Sequence, residues 1–115
     1  MELVTADLHG VNGEVFPLLT CSGDLDIASS ESFRAALMPL FSGSSPAVVV
    51  NLESVPFIDS TGLSVLIACH KAAVAHGCDC RYVINVPKVL RVVEATQVNK
   101  FLSIYPSTET AISVI

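Results

Sequence analysis

Val55-Pro56-Phe57-Ile58-Asp59-Ser60-Thr61-Gly62-Leu63 is the stretch on which the fold turns. Just before it stands Ala47-Val48-Val49-Val50-Asn51-Leu52, a short apolar run rich in Val. Its length and β-branched content predict a strand buried on both faces. After it, Leu63, Leu66, Ile67, His70 and Val74 recur at i, i+3, i+4, i+7 and i+11. That spacing predicts a helix over 60–76 whose stripe faces the core. Gly77 is well placed as its C′ residue. Asp59, Ser60 and Thr61 cluster where the helix begins, and Asp59 or Ser60 can cap its orphan N–H groups. Gly62 has no side chain, so the first turn can be approached closely. Ser60 would stand at the positive end of the helix dipole.

Working outward, residues 3–8 and 13–21 read as two strands, and Gly10-Val11-Asn12-Gly13 between them is turn chemistry, so the pair is predicted as a hairpin. Gly23-Asp24-Leu25-Asp26 breaks the pattern. Phe33, Leu37, Leu40 and Phe41 predict a first helix over 29–41, kinked or ended near Pro39. A strand is expected at 80–84, a third helix at 87–96 opened by Pro87, a last strand at 101–104 and a closing helix at 107–114. The order β-β-α-β-α-β-α-β-α implies an α/β fold. Its sheet should be mixed but mostly parallel, flanked by α-helices, with the hairpin as its antiparallel part.

The chain has 115 residues, a length that predicts one domain over 1–115. Its formal net charge of −5 disfavours nucleic acid and anionic membrane surfaces as partners. No apolar run approaches the roughly 20 residues of a membrane span, and the first residues do not read as a signal peptide, so a soluble cytoplasmic protein is expected. Cys21, Cys69, Cys78 and Cys80 have no disulfide-framework spacing and are expected reduced and buried. A Cys78–Cys80 bridge would be strained. His70, His76, Cys78 and Cys80 match no common zinc pattern, so no metal site is assigned; His70 is expected to be a partly buried helix residue. No Gly-x-Ser-x-Gly elbow surrounds Ser60 and there is no glycine-rich phosphate loop, so no catalytic residue, cofactor or enzymatic activity is expected.

Asp59-Ser60-Thr61-Gly62-Leu63, preceded by Phe57-Ile58 and a Val-rich strand, resembles the phosphorylation motif of bacterial anti-sigma factor antagonists. These belong to the STAS domains (sulfate transporter and anti-sigma factor antagonist). Gly23-Asp24-Leu25-Asp26 resembles the Gly-Glu-Leu-Asp turn that opens their first helix, with Asp24 in place of the commoner Glu. Where the family often carries Thr-Gly-Leu after the third helix, this chain has Thr96-Gln97-Val98, and so lacks a glycine C-cap.

The resemblance implies a STAS fold and a binding protein switched at Ser60. The unphosphorylated form would bind an anti-sigma factor that is also a serine-protein kinase, and release the sigma factor. Phosphorylation of Ser60 would end binding, and a protein phosphatase would restore it. The implied partner surface is Asp24, Asp26, Ile58, Asp59, Ser60, Thr61 and Leu63. Two other readings remain. One is a constitutive STAS adaptor of a transporter or multiprotein complex. The other is a receiver-like domain phosphorylated on Asp59, against which stands the missing acidic pair after the first strand, where Asp7 is alone. Asp-Ser-Thr by itself would be only a cap, worth about 1 kcal/mol.

Overall fold

The computed structural model describes residues 1–113. Strand β1 (Glu2–His9) pairs antiparallel with β2 (Val15–Ser22), from Glu2 opposite Ser22 to His9 opposite Val15. Strands β3 (Ala47–Ser54), β4 (Asp79–Val83) and β5 (Ser103–Tyr105) then add in parallel, so the sheet order is the chain order β1-β2-β3-β4-β5. Helices α1 (Ser30–Leu37), α2 (Ser60–Ala75), α3 (Pro87–Ala95) and α4 (Thr108–Ser113) complete the STAS-like α/β arrangement.

Strand alternation divides the core in two. On one face Leu19, Cys21, Val48, Val50, Cys80 and Tyr82 meet Phe33 and Leu37 of α1, Leu66 and Cys69 of α2, and Val89 and Val93 of α3. On the other, Phe16, Ala47, Val49 and Val83 meet Ala111 of α4. Arg81 secures this second layer. It is buried, its Nε pairs with Asp79 Oδ2 at 2.9 Å, and its Nη1 donates to Ala111 O at 2.6 Å. Its guanidinium lies 5.6 Å from the centre of the Phe16 ring. A buried charge is tolerable here because it is both paired and hydrogen-bonded.

Most element ends fall within two residues of expectation; four differences have a structural reason or bound. The first helix is split: α1 ends at Leu37 and a 3-10 turn, Met38–Ser42, follows. Pro39 has no N–H to continue the α-helical ladder, so the chain tightens there. On α2 the buried face is Gly62, Val65, Leu66, Cys69 and Ala73. This face is made mostly of small residues, and the Leu63–Ile67–His70–Val74 flank is left half-buried to exposed. The last strand begins two residues later than expected, because a 3-10 turn, Val98–Lys100, buries Val98 ahead of it. The closing helix runs Thr108–Ser113, and its expected last residue, 114, lies outside the described residues.

Two helix ends show opposite solutions to the same problem. At the end of α2, Gly77 has φ +70°, its N–H donates to Val74 O, and Cys78 N–H donates to Ala73 O. This is the Schellman motif that glycine favours. At the end of α3, Gln97 occupies the left-handed position with φ 62°, and its N–H donates to Glu94 O. A side chain there is strained. Gln97→Gly should therefore raise stability by about 0.5–1 kcal/mol, read as a higher urea midpoint at unchanged slope.

All four cysteines are free and buried. Burial pushes the Cys21 thiol up to about 12 and Cys69 to about 11, the latter opposed by the nearby Arg34 charge. Cys80 is raised as well, chiefly by burial. An unfolded thiol ionises near pH 9.0, so above that pH the unfolded chain loses protons that the folded chain keeps. Stability should hold below pH 9 and fall as pH rises toward 11–12, by about 1.4 kcal/mol per pH unit for each such thiol. Urea titrations across that range should show a shallower decline in Cys69→Ala; an equal decline would clear this thiol of responsibility.

Candidate functional site

Two loops meet at the carboxyl ends of β2 and β3. Leu25 and Ile58 form a parallel bridge, in which Leu25 N–H donates to Phe57 O at 3.0 Å and Asp59 N–H donates to Leu25 O at 3.2 Å. Both bridge residues are buried, so the pairing is shielded from water. Gly62 makes this crossing possible. A Cβ at Gly62 would collide with the Leu25 carbonyl oxygen and stand 2.9 Å from Ile58 Cγ1. The close approach expected at Gly62 is therefore made by the chain's own backbone.

Asp59 joins the loops a second time. Its Oδ1 accepts from Gly62 N–H at 2.8 Å, capping α2, and its Oδ2 accepts from Ile27 N–H at 3.1 Å. Of the two candidate caps, Asp59 is the one used. Both carboxylate oxygens are engaged by backbone donors, which leaves the receiver-like reading of Asp59 without support. Among the described residues no group of three or more His, Cys, Asp and Glu is placed to hold a metal ion.

Asp26 is also turned inward. Its Oδ1 accepts from Ala28 N–H at 3.0 Å and Ser29 N–H at 3.1 Å. The buried Ser29 hydroxyl donates to Asp24 O at 2.7 Å and accepts from Asp26 N–H at 3.0 Å. These bonds fix the turn leading into α1 and leave the Asp24 side chain exposed.

Ser60 is the first residue of α2 and is exposed; its carbonyl accepts from Ser64 Oγ at 2.9 Å. Thr61 is half-buried beside Ser30, Glu31 and Arg34 of α1, and Leu63 is half-buried against the core. Ile58 corrects the expected surface. It is 4% exposed and packs in the core, so its side chain is not available to a partner. The exposed apolar groups at this end are Ile27, 75% exposed, and Phe57, 45% exposed. Ile27 follows Asp26 in a polar run, and Phe57 follows Pro56, so each stands outside any buried period; that was the signal available for them.

A five-stranded sheet in chain order, covered by helices and carrying a serine at a carboxylate-capped helix start, defines the class of protein. The chain belongs to the STAS domain family, whose model matches residues 8–111. Solved structures agree on the fold. An anti-sigma factor antagonist from Mycobacterium paratuberculosis is 23% identical with a TM-score of 0.77, over 96% of this chain and 94% of that one. The anti-sigma factor antagonist SpoIIAA in its unphosphorylated form is 17% identical, with a TM-score of 0.66, over 96% and 93%. The murine anion transporter Slc26a9 is 15% identical with a TM-score of 0.75, over 92% of this chain but 21% of the transporter. A search of curated proteins finds no match. No helix of the described residues is long and apolar enough to cross a membrane.

The close contact at Gly62 can be tested directly. Gly62→Ala should cost about 3 kcal/mol, because the Leu25 carbonyl belongs to a bridged backbone and cannot turn aside. The exposed Ser64→Ala, on the same helix, should change stability by less than about 0.5 kcal/mol. Equal urea midpoints for the two variants would show that the loops are not pressed together.

Proposed function

We propose that residues 1–115 act as one STAS domain that is an anti-sigma factor antagonist switched at Ser60. In this reading the unphosphorylated protein binds an anti-sigma factor with serine-kinase activity and releases the sigma factor. Phosphorylation of Ser60 ends the binding, and a protein phosphatase restores it. The observation that carries the reading is exposed Ser60 at the first position of α2, directly after a loop tied by the Gly62 contact and the Asp59 hydrogen bonds. A protein substrate needs a reachable acceptor held in one place. The chain supplies that acceptor, and the nucleotide-binding machinery of phosphoryl transfer would sit on the partner. The partner surface is Asp24, Ser60, Thr61 and Leu63, with Ile27 and Phe57 in the place first given to Ile58. Asp26 and Asp59 shape it from beneath.

The direction of the switch follows from charge. A phosphate adds about −1.5 to −2 charges. At a helix N-terminus these are tolerated, so the free protein should keep its stability. In a complex the same charge would be desolvated, which costs several kcal/mol, and each 1.4 kcal/mol is about tenfold in affinity.

The experiment combines phosphopeptide mapping with affinity. After incubation with ATP and each kinase-like anti-sigma factor of the same cell, one phosphate should appear on Ser60. Ser60→Ala should bind constitutively, and Ser60→Asp should bind roughly a hundredfold more weakly or worse. Phosphate on Thr61 instead would move the switch. Label acquired without any kinase would make the chain an enzyme. A phosphorylated form that binds as tightly as the bare one would leave the constitutive adaptor.

A further inference from the structure

Charge is unevenly placed along this acidic chain. Residues 1–59 hold eight acidic side chains and one basic, whereas residues 60–101 hold five basic and two acidic. Arg81 is buried and paired with Asp79. The other four cations of that segment, Lys71, Lys88, Arg91 and Lys100, are all exposed. Lys71 is on α2, Lys88 and Arg91 are on α3, and Lys100 is in the 3-10 turn after α3. The cations therefore gather on the α2–α3 side.

The same side carries partly exposed apolar surface. Leu63, Ile67, His70 and Val74 share one flank of α2. The other flank, with Thr61, Val65 and Ala68, faces Ser30, Glu31 and Arg34 of α1 across a shallow depression. Val74 is 63% exposed, and Leu63 and Ile67 are half-buried. The stripe has two apolar ends. At its foot Phe101, 48% exposed, has its ring centre 6.3 Å from that of His70. Its head is a depression of about 180 Å³ between Phe57 and α3, floored by Val89 and Val92, with Lys88 at its edge. Beside Phe101, His70 Nδ1 is buried without a hydrogen-bond partner among the described residues.

We propose that this flank docks an acidic amphipathic helix of the partner protein, its apolar side on Leu63, Ile67 and Phe101 and its carboxylates against Lys71, Lys88, Arg91 and Lys100. Charge complementarity selects the occupant: of the five exposed cations of this acidic domain, all but Arg34 of α1 lie on α2, α3 and the turn after them, beside one apolar stripe, and favour a negative partner there. From Ser60 to Val74 α2 is about 21 Å long, which suits a docked helix of about 14 residues. The proposal rests on the antagonist reading and gives its switch a sign. Ser60 stands at the head of the stripe, so phosphate there would face the incoming carboxylates.

The test uses the 115-residue chain labelled for amide NMR. It is titrated with two designed helical peptides of about 14 residues with the same apolar stripe, one rimmed by Glu and one by Lys. The acidic peptide should shift amides of Leu63, Ile67, His70 and Phe101 and bind roughly tenfold or more tightly than the basic one, less so at high salt. Lys71→Glu, Lys88→Glu and Arg91→Glu combined should reverse that preference, with circular dichroism checking that the triple variant folds. No shift at those amides, or binding only to phosphatidylserine vesicles, overturns the proposal. Affinity for the kinase-like anti-sigma factor separates the two readings. Loss on Asp24→Lys but not in the triple variant would sink the docking flank and leave the antagonist reading standing. Acidic-peptide binding at the flank without any binding of such a kinase would do the reverse.

Discussion

The first turn of α2 lies against the backbone of Leu25, and only glycine at position 62 allows it to do so. The contact is more than a packing detail. It lets the loop after β3 and the loop after β2 form a bridge at Leu25 and Ile58 well beyond the regular sheet. Asp59 then serves both elements, one oxygen closing the helix cap and the other holding Ile27. Each arrangement supports the other. Without the close approach the carboxylate could not span both donors, and without the carboxylate the N–H groups of two loops would need other partners. The exposed residues of this end, Asp24, Ile27, Phe57 and Ser60, thus sit on a braced scaffold although all lie in or beside loops.

The inward face of α2 follows from the same closeness. A helix whose first turn touches backbone can pack only small or slender residues against its neighbours, and Gly62, Val65, Cys69 and Ala73 are such a set, with Leu66 as the one bulky member. The bulk displaced from that face appears on the flank, as Leu63, Ile67 and His70. Tyr82 shows how tightly the layer is filled. It is fully buried on β4, and its hydroxyl donates to Leu66 O at 3.1 Å, an acceptor that comes from the helix above it.

The parts of the fold legible in sequence were those written in strong local chemistry. The β1–β2 hairpin is declared by Gly10–Gly13, β3 by its Val run, the start of α2 by Asp59 and its end by Gly77. The missed features depend on what lies opposite. The stripe on α2 was misassigned because the helix is apolar on more than one face. Periodicity reports that a stripe exists, and the distance to the sheet decides which stripe is buried. Ile58 and Phe57 are neighbours of similar character, and nothing local says which points inward. The answer is the bridge with Leu25, a partner 33 residues earlier in the chain. Asp26 is a different case: its bonds are local, to the N–H groups of Ala28 and Ser29, so that part of its role lies within reach of a turn reading.

The bracing also bears on how a modification at Ser60 would be felt. Helix N-termini absorb anions by offering free N–H groups. Here the Gly62 N–H is already taken by Asp59 Oδ1, and the Leu63 N–H by Asp59 O. A phosphate on Ser60 would find these two donors in use and a carboxylate beside it, and would stand at the exposed surface as added charge. The loop beneath it, pinned at Leu25 and Ile27, has no slack with which to rearrange. On the proposed reading, modification of such a site would change what its surface repels and leave the fold unaltered, as a switch read by a partner requires.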